Sequence, residues 1–132
     1  MSNRIILESI IPAVPEKVYT AWLDGNEHAQ MTGAPANGSA IVGEDHSAWD
    51  GYITGKNLEM EPFKLIVQSW RTSDFKDENP DSILEIKLEP HTDGCKLMLN
   101  HSEIPDDQPD YESGWEDHYF KPMRDYFRGQ KN

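Results

Sequence analysis

From Arg4 to Ile11 the chain alternates: Ile5, Leu7, Ser9 and Ile11 share one parity, and Arg4, Ile6, Glu8 and Ile10 the other. A period of two is that of a β-strand with at least one buried face, and Pro12 ends it. The period then lengthens. Val14, Val18 and Trp22 stand four apart and form one helical stripe. Pro15 suits the first turn of that helix, where its missing N–H costs nothing, and Glu16 complements the positive helix end. Asp24-Gly25 breaks the pattern. A second short helix is predicted over Asn26–Met31, a Gly/Pro-rich loop over Thr32–Gly38, and a short strand near Ser39–Val42.

Trp49 to Met60 reads as a longer strand with Gly51 and Gly55 inside it. Glycines there mark a bulge, a bend or the close approach of another element. Glu61-Pro62 supplies a turn, and Phe63–Arg71 reads as a central strand with Phe63, Leu65 and Val67 on one face. Thr72–Asp81 is polar, holds Pro80 and reads as a loop. Ser82–Glu89 sets Leu84, Ile86 and Leu88 against Glu85, Lys87 and Glu89. His91-Thr92-Asp93-Gly94 has hairpin-turn chemistry. Cys95, Leu97, Leu99 and His101 then face one way, with Lys96, Met98 and Asn100 the other, so this hairpin has one wet side. Ile104–Asp110 is an acidic connector. Tyr111–Phe127 returns to a helical period through Trp115, Tyr119, Met123 and Tyr126, with Asp110 placed to cap its start and Pro122 an anomaly inside it.

The predicted order is one strand, two short helices, about six antiparallel strands in all and a long C-terminal helix. Its class is α+β: the helix carries the stripe that the apolar face of a curved antiparallel sheet needs. At 132 residues the chain suits a single domain, 1–132, with room for a hydrophobic core. Four tryptophans, Trp22, Trp49, Trp70 and Trp115, offset a modest aliphatic content. Acidic residues number 24 against 12 basic, a net charge of −12. That balance argues against nucleic acid and anionic membrane surfaces, which need a basic footprint. It keeps a protein soluble, or presents an acidic patch to a basic partner. Cys95 is the only cysteine, so no internal disulfide forms, which fits a cytoplasmic setting. Its place in a strand makes it a buried, inert thiol. No Cys/His spacing resembles a metal site, and no apolar run approaches the roughly 18 residues of a membrane span.

Five segments in order carry a resemblance. They are Pro15-Glu16-Lys17-Val18-Tyr19-Thr20-Ala21-Trp22, Asp50-Gly51-Tyr52-Ile53-Thr54-Gly55, Ile66-Val67-Gln68-Ser69-Trp70-Arg71, Leu97-Met98-Leu99-Asn100-His101 with Ile104-Pro105 after it, and Gly114-Trp115-Glu116-Asp117-His118-Tyr119-Phe120-Lys121-Pro122-Met123. Together they resemble the Aha-type activators of heat-shock chaperone ATPase, a branch of the START-like (SRPBCC) superfamily. Met123 stands where the pattern has leucine, and Val42-Gly43-Glu44 departs from the usual Gly-Gly before the second strand. The resemblance implies the helix-grip fold, in which a sheet holds a long helix over an internal cavity. It implies no catalytic residue set.

Candidate site residues follow from parity and from that fold. Trp70, Trp115, Tyr119, Met123 and Tyr126 either line a ligand cavity or fill the core. His101 points inward with Leu97 and Leu99, as a ligand partner or a buried histidine satisfied by neighbours. Arg71 shares the parity of Phe63, Leu65 and Val67, and either meets a ligand carboxylate or pairs an acid at the strand end. The acids fall on the wet side of the hairpin, in the connector or at a helix N-terminus. None has the pocket and tuned pKa that acid–base catalysis needs. The expected function is therefore a binding module for a small apolar or amphipathic molecule, without cofactor or metal. Two alternatives stand beside it. One is an interaction protein acting on a heat-shock chaperone in a stress response. The resemblance implies this weakly, because the chaperone-binding members carry a further N-terminal domain and this chain begins at the first strand. The other is a cavity enzyme of cyclase or hydrolase type using His101, Arg71 and Tyr119.

Overall fold

A computed structural model of the chain describes residues 3–105 and 111–128. The elements run β1 (Asn3–Ile11), α1 (Pro15–Leu23), α2 (Gly25–Thr32), β2 (Asp45–Ala48), β3 (Ile53–Glu61), β4 (Leu65–Thr72), β5 (Ser82–His91) and β6 (Gly94–Ile104). A C-terminal helix follows in three joined parts: α3 (Tyr111–Trp115), a π-helical turn (Glu116–Phe120) and α4 (Lys121–Arg128). The six strands form one antiparallel sheet in the order β1-β6-β5-β4-β3-β2. The sheet curves, and the C-terminal helix packs on its inner side. The α+β helix-grip architecture is as expected.

Local chemistry sets the boundaries. Pro15 occupies the first turn of α1, which has no side-chain N-cap. Asp24 ends α1 and starts α2, its Oδ1 accepting from the backbone N–H of Asn26 at 2.9 Å and of Glu27 at 3.3 Å. Gly33 closes α2 in the left-handed region, at φ 87°. Ser39–Val42 is not a strand. The short strand comes later, at Asp45–Ala48, because the buried Asn57 amide donates to the carbonyls of Ser39 (2.9 Å) and Ile41 (3.1 Å) and ties that segment into a loop. Trp49, Asp50 and Gly51 are likewise a turn and not part of β3; all three have positive φ.

The parity of β4 is the reverse of the expected one. Ile66, Gln68, Trp70 and Thr72 are buried, while Leu65 and Val67 are only half-buried and Phe63 lies exposed in the turn before the strand. The more apolar set faces out because the inner set includes a polar group with partners already in place. Gln68 Oε1 accepts from the Trp22 indole at 3.1 Å and its amide donates to Asn57 Oδ1 at 2.8 Å. Buried polar side chains are tolerated when paired in this way. Val14 is another departure: it is half-exposed at the entrance of α1, whereas Val18 and Trp22 are buried.

The β3–β4 ladder opens at Gly55. The Ser69 carbonyl accepts from His46 Nε2 at 2.9 Å, and the Lys56 backbone N–H donates to the Ser69 hydroxyl at 2.9 Å. A Cβ built on Gly55 would overlap the Ser69 carbonyl oxygen and crowd the His46 ring. Three residues on, β3 gains an unpaired residue at Leu58 between the Asn57 and Glu59 pairings. Such a bulge bends a strand and increases its twist. Gly55→Ala is expected to lower unfolding stability by about 2–3 kcal/mol through this overlap, measured by urea denaturation. An unchanged midpoint would mean that the open ladder is not a constraint on the fold.

Candidate functional site

The last helix must present one apolar stripe to the sheet, and its sequence does so in steps of four: Trp115, Tyr119, Met123 and Phe127 are all buried. Four residues on an α-helix overshoot a turn by about 40°. The π-helical turn lies midway along this stripe. Its Lys121 N–H reaches back five residues to the Glu116 carbonyl, and Pro122 follows directly. Pro122 lacks an N–H and crowds the carbonyl four residues earlier, so a widened turn just before it relieves both difficulties. The inserted residue also shifts the phase. Phe127 takes the core position expected of Tyr126, and Tyr126 instead lies half-buried, its hydroxyl donating to Glu27 Oε2 at 3.1 Å.

This stripe meets the inner side chains of the sheet through rings. Trp115 packs against Trp70 with centroids 5.7 Å apart, against Tyr119 at 4.9 Å and edge-on to His101 at 5.6 Å. Trp22 of α1 packs on Tyr119 at 5.0 Å. Beside this cluster the sheet and helix part, leaving a cleft of about 520 Å³. Trp49, Tyr52 and Ile53 form one wall, Trp70 the floor, and Tyr111, Gly114, Trp115, His118 and Tyr119 the helix wall. Trp49 is held there with φ 54°, in a turn pinned by the Asp50 N–H donating to the Pro35 carbonyl at 2.9 Å. A bulky residue in the left-handed region is uncommon and is held there by its surroundings.

Two buried histidines brace the cluster from behind. The Trp115 indole, a donor only, gives its proton to His101 Nδ1 at 3.2 Å. Nε2 therefore carries the proton of the neutral ring and donates to the Ser82 hydroxyl at 2.8 Å, which donates in turn to the Trp70 carbonyl at 2.6 Å. His101 is fully buried, and burial pushes its pKa down to about 3. On the other side His28 Nδ1 donates to the Trp22 carbonyl at 2.8 Å, leaving Nε2 to accept from the Tyr119 hydroxyl at 3.2 Å. Burial lowers the pKa of His28 and raises that of Tyr119. Both imidazoles are neutral, and both of their ring nitrogens are occupied by protein partners.

Of the side chains singled out in the sequence, Trp70, Trp115 and Tyr119 come together on the cleft. Met123 is fully buried in the core beneath it. His101 sits behind Trp115 with no nitrogen turned to the cleft. Arg71 shares the outer face with Leu65 and Val67, donates to Asp81 at 2.7 Å and to the carbonyls of Asn79 (3.2 Å) and Lys76 (3.0 Å), and so organises the Thr72–Asp81 loop. The reversed parity of β4 turns it away from this cleft. The parts missed in the sequence are Trp49, Tyr52, Tyr111 and His118. A tryptophan before Asp-Gly was the available signal for the first; the others needed the fold. Asp110, expected to cap the helix, lies outside the described residues.

Among the described residues no group of His, Cys, Asp or Glu side chains is arranged to hold a metal ion, and no helix is long and apolar enough to cross a membrane. Cys95 is a buried free thiol whose pKa burial pushes up to about 11. The histidines give the fold a pH dependence of fixed sign. His28, His46 and His101 all bind protons more weakly folded than unfolded, since burial lowers each from 6.5. The unfolded chain therefore takes up more protons below that value. Stability is expected to be full above about pH 6.5 and to fall as pH drops from there towards 3. In NMR titration the His101 ring resonances are expected to stay fixed from pH 8 to about 4.5. A midpoint near 6.5 would contradict its burial as a neutral acceptor.

Comparison with known proteins agrees with the fold. The chain matches the family described as "Activator of Hsp90 ATPase homolog 1-like protein" over residues 12–128. A search of curated proteins returns no match. Among solved structures, protein MLL2253 of Mesorhizobium loti superposes with a TM-score of 0.83 at 19% identity, covering 98% of this chain and 100% of its own. PFC0360w of Plasmodium falciparum, described as an HSP90 activator, gives 0.80 at 22% identity, over 97% of this chain and 96% of its own. Protein CV1439 of Chromobacterium violaceum gives 0.76 at 28% identity, over 95% and 96%. The fold likeness spans both chains in each case, and the family match covers all but the first strand and the C-terminal residues. The chain belongs to the Activator of Hsp90 ATPase homolog 1-like family.

Proposed function

We propose that this protein binds a small, flat, largely apolar molecule in the cleft between Trp49, Trp70 and the C-terminal helix. One observation carries the reading: the cleft has six aromatic walls and, among the described residues, no Lys, Arg, Asp or Glu lines it. Its volume falls within the roughly 300–1,000 Å³ typical of small-molecule sites. Each 100 Å² of apolar ligand surface buried there contributes about 2.5 kcal/mol before the costs of association. The walls are held in place before any ligand arrives, by the His101 and His28 hydrogen bonds behind Trp115 and Tyr119 and by the strained turn at Trp49. That pre-organisation reduces the ordering cost of binding. Among the described residues no nucleophile in the cleft is paired with a base, so the reading is binding without catalysis.

Gly114 supplies the test. It lines the cleft, and a Cβ placed on it meets nothing within 4 Å. Gly114→Leu is expected to fill the cleft while stabilising the helix by about 0.5–1 kcal/mol. The neutral fluorophore N-phenyl-1-naphthylamine is expected to brighten with the unaltered protein and quench its tryptophans. Its affinity should fall at least about tenfold in Gly114→Leu, with no loss of Tm. Equal binding by both proteins would place the ligand elsewhere.

A second reading has support in the family description and in the fold shared with a protein described as an HSP90 activator. It is docking on a heat-shock chaperone. This reading predicts a rise in chaperone ATPase turnover when the protein is added in excess; unchanged turnover with a complex undetectable by pulldown would end it.

A further inference from the structure

We infer that the cleft selects an organic cation, such as an aryl quaternary ammonium, over neutral or anionic molecules of the same shape. The inference rests on the cleft being a ligand site at all. Its argument starts from what the walls lack. With no Lys or Arg among the described lining residues, a carboxylate or sulfonate entering the cleft would leave water and find no permanent counter-charge. The hydroxyls of Tyr119 and Tyr52 are also committed. Tyr119 donates to His28, and the Tyr52 hydroxyl donates to Asp74 Oδ2 at 2.6 Å.

What the walls do present is ring surface: Trp49, Trp70 and Trp115 with Tyr52, Tyr111 and Tyr119. The faces of these rings carry negative quadrupole potential, strongest for tryptophan, and attract a cation that has shed part of its water. The surrounding charge has the same preference. Asp74 sits at the mouth through its bond to Tyr52. Asp50, Glu112 and Asp117 are exposed and adjoin Trp49, Tyr111 and His118 in the chain. Arg71, next to Trp70 in the chain, points to the other face of the sheet and is paired with Asp81. A net charge of −12 adds a long-range field that draws cations in and repels anions. Ring faces inside and carboxylates at the rim make a site that gains from positive charge at both depths.

Three probes of near-identical shape separate charge from apolar burial: 3-hydroxyphenyltrimethylammonium, 3-tert-butylphenol and 3-hydroxybenzenesulfonate. Binding is read from shifts of the tryptophan indole resonances. The cation is expected to bind about tenfold tighter than the neutral phenol, with the sulfonate weakest. Asp74→Asn keeps an acceptor for Tyr52 while removing the charge, and should weaken the cation by about threefold and leave the phenol unchanged. If the phenol binds as tightly as the cation, or the sulfonate binds best, the charge preference is wrong and the apolar site stands. If none of the three perturbs Trp49, Trp70 or Trp115, the ligand-site reading itself fails and takes this inference with it.

Discussion

The hydrogen bond from the Trp115 indole to His101 is the constraint on which the rest of the structure depends. It joins the C-terminal helix to β6, an inner strand of the sheet, at a point where the surrounding contacts are between rings. A stack of rings alone would let the helix slide or roll at little cost. A donor-only indole facing a buried acceptor fixes both the register of the helix and the tautomer of the histidine. The bond then extends through Ser82 to the Trp70 backbone. Two residues of the cleft, the floor Trp70 and the wall Trp115, are thereby tied to one imidazole. Burial keeps that imidazole neutral, which the indole donor requires.

The cleft is a consequence of irregularities placed where regular structure would have closed it. Pro122 and the π-helical turn before it keep a four-residue stripe in line with the sheet. Gly55 admits His46 into the β3–β4 ladder, and the bulge at Leu58 bends β3 around the helix. The turn Trp49-Asp50-Gly51 carries three residues in the left-handed region and turns an indole towards the helix. Each of these features weakens an element taken alone. Together they hold Trp49 and Tyr52 apart from Trp115 and leave room between them.

Much of the frame was legible in the chain, because strict alternation has one meaning. Leu84, Ile86 and Leu88 against Glu85, Lys87 and Glu89, and Cys95, Leu97, Leu99 and His101 after them, could only be a half-buried hairpin. The terminal helix and its aromatic stripe were equally plain. Parity failed in β4, where both faces are apolar enough to be buried and a glutamine decides between them. The choice depends on Trp22 and Asn57, which are 46 and 11 residues away along the chain. Arg71 follows the outward parity and pairs Asp81, the second of the two roles that its place at the strand end allowed. Tyr126 was taken for a core residue because a proline in a helix announces a distortion without stating its phase. Trp49 and His118 became neighbours, with ring centroids 5.5 Å apart, only through the fold. The Ser39–Val42 strand failed because a side-chain amide, and not a neighbouring strand, satisfies that backbone.

Hydrogen exchange at the Trp115 indole nitrogen tests the central lock directly. If the helix is held by donation to a neutral His101, this proton exchanges only when the whole sheet opens, at the rate of the slowest β5 and β6 backbone amides. Exchange as fast as that of an exposed indole, with those amides still protected, would show that the helix is not fastened there.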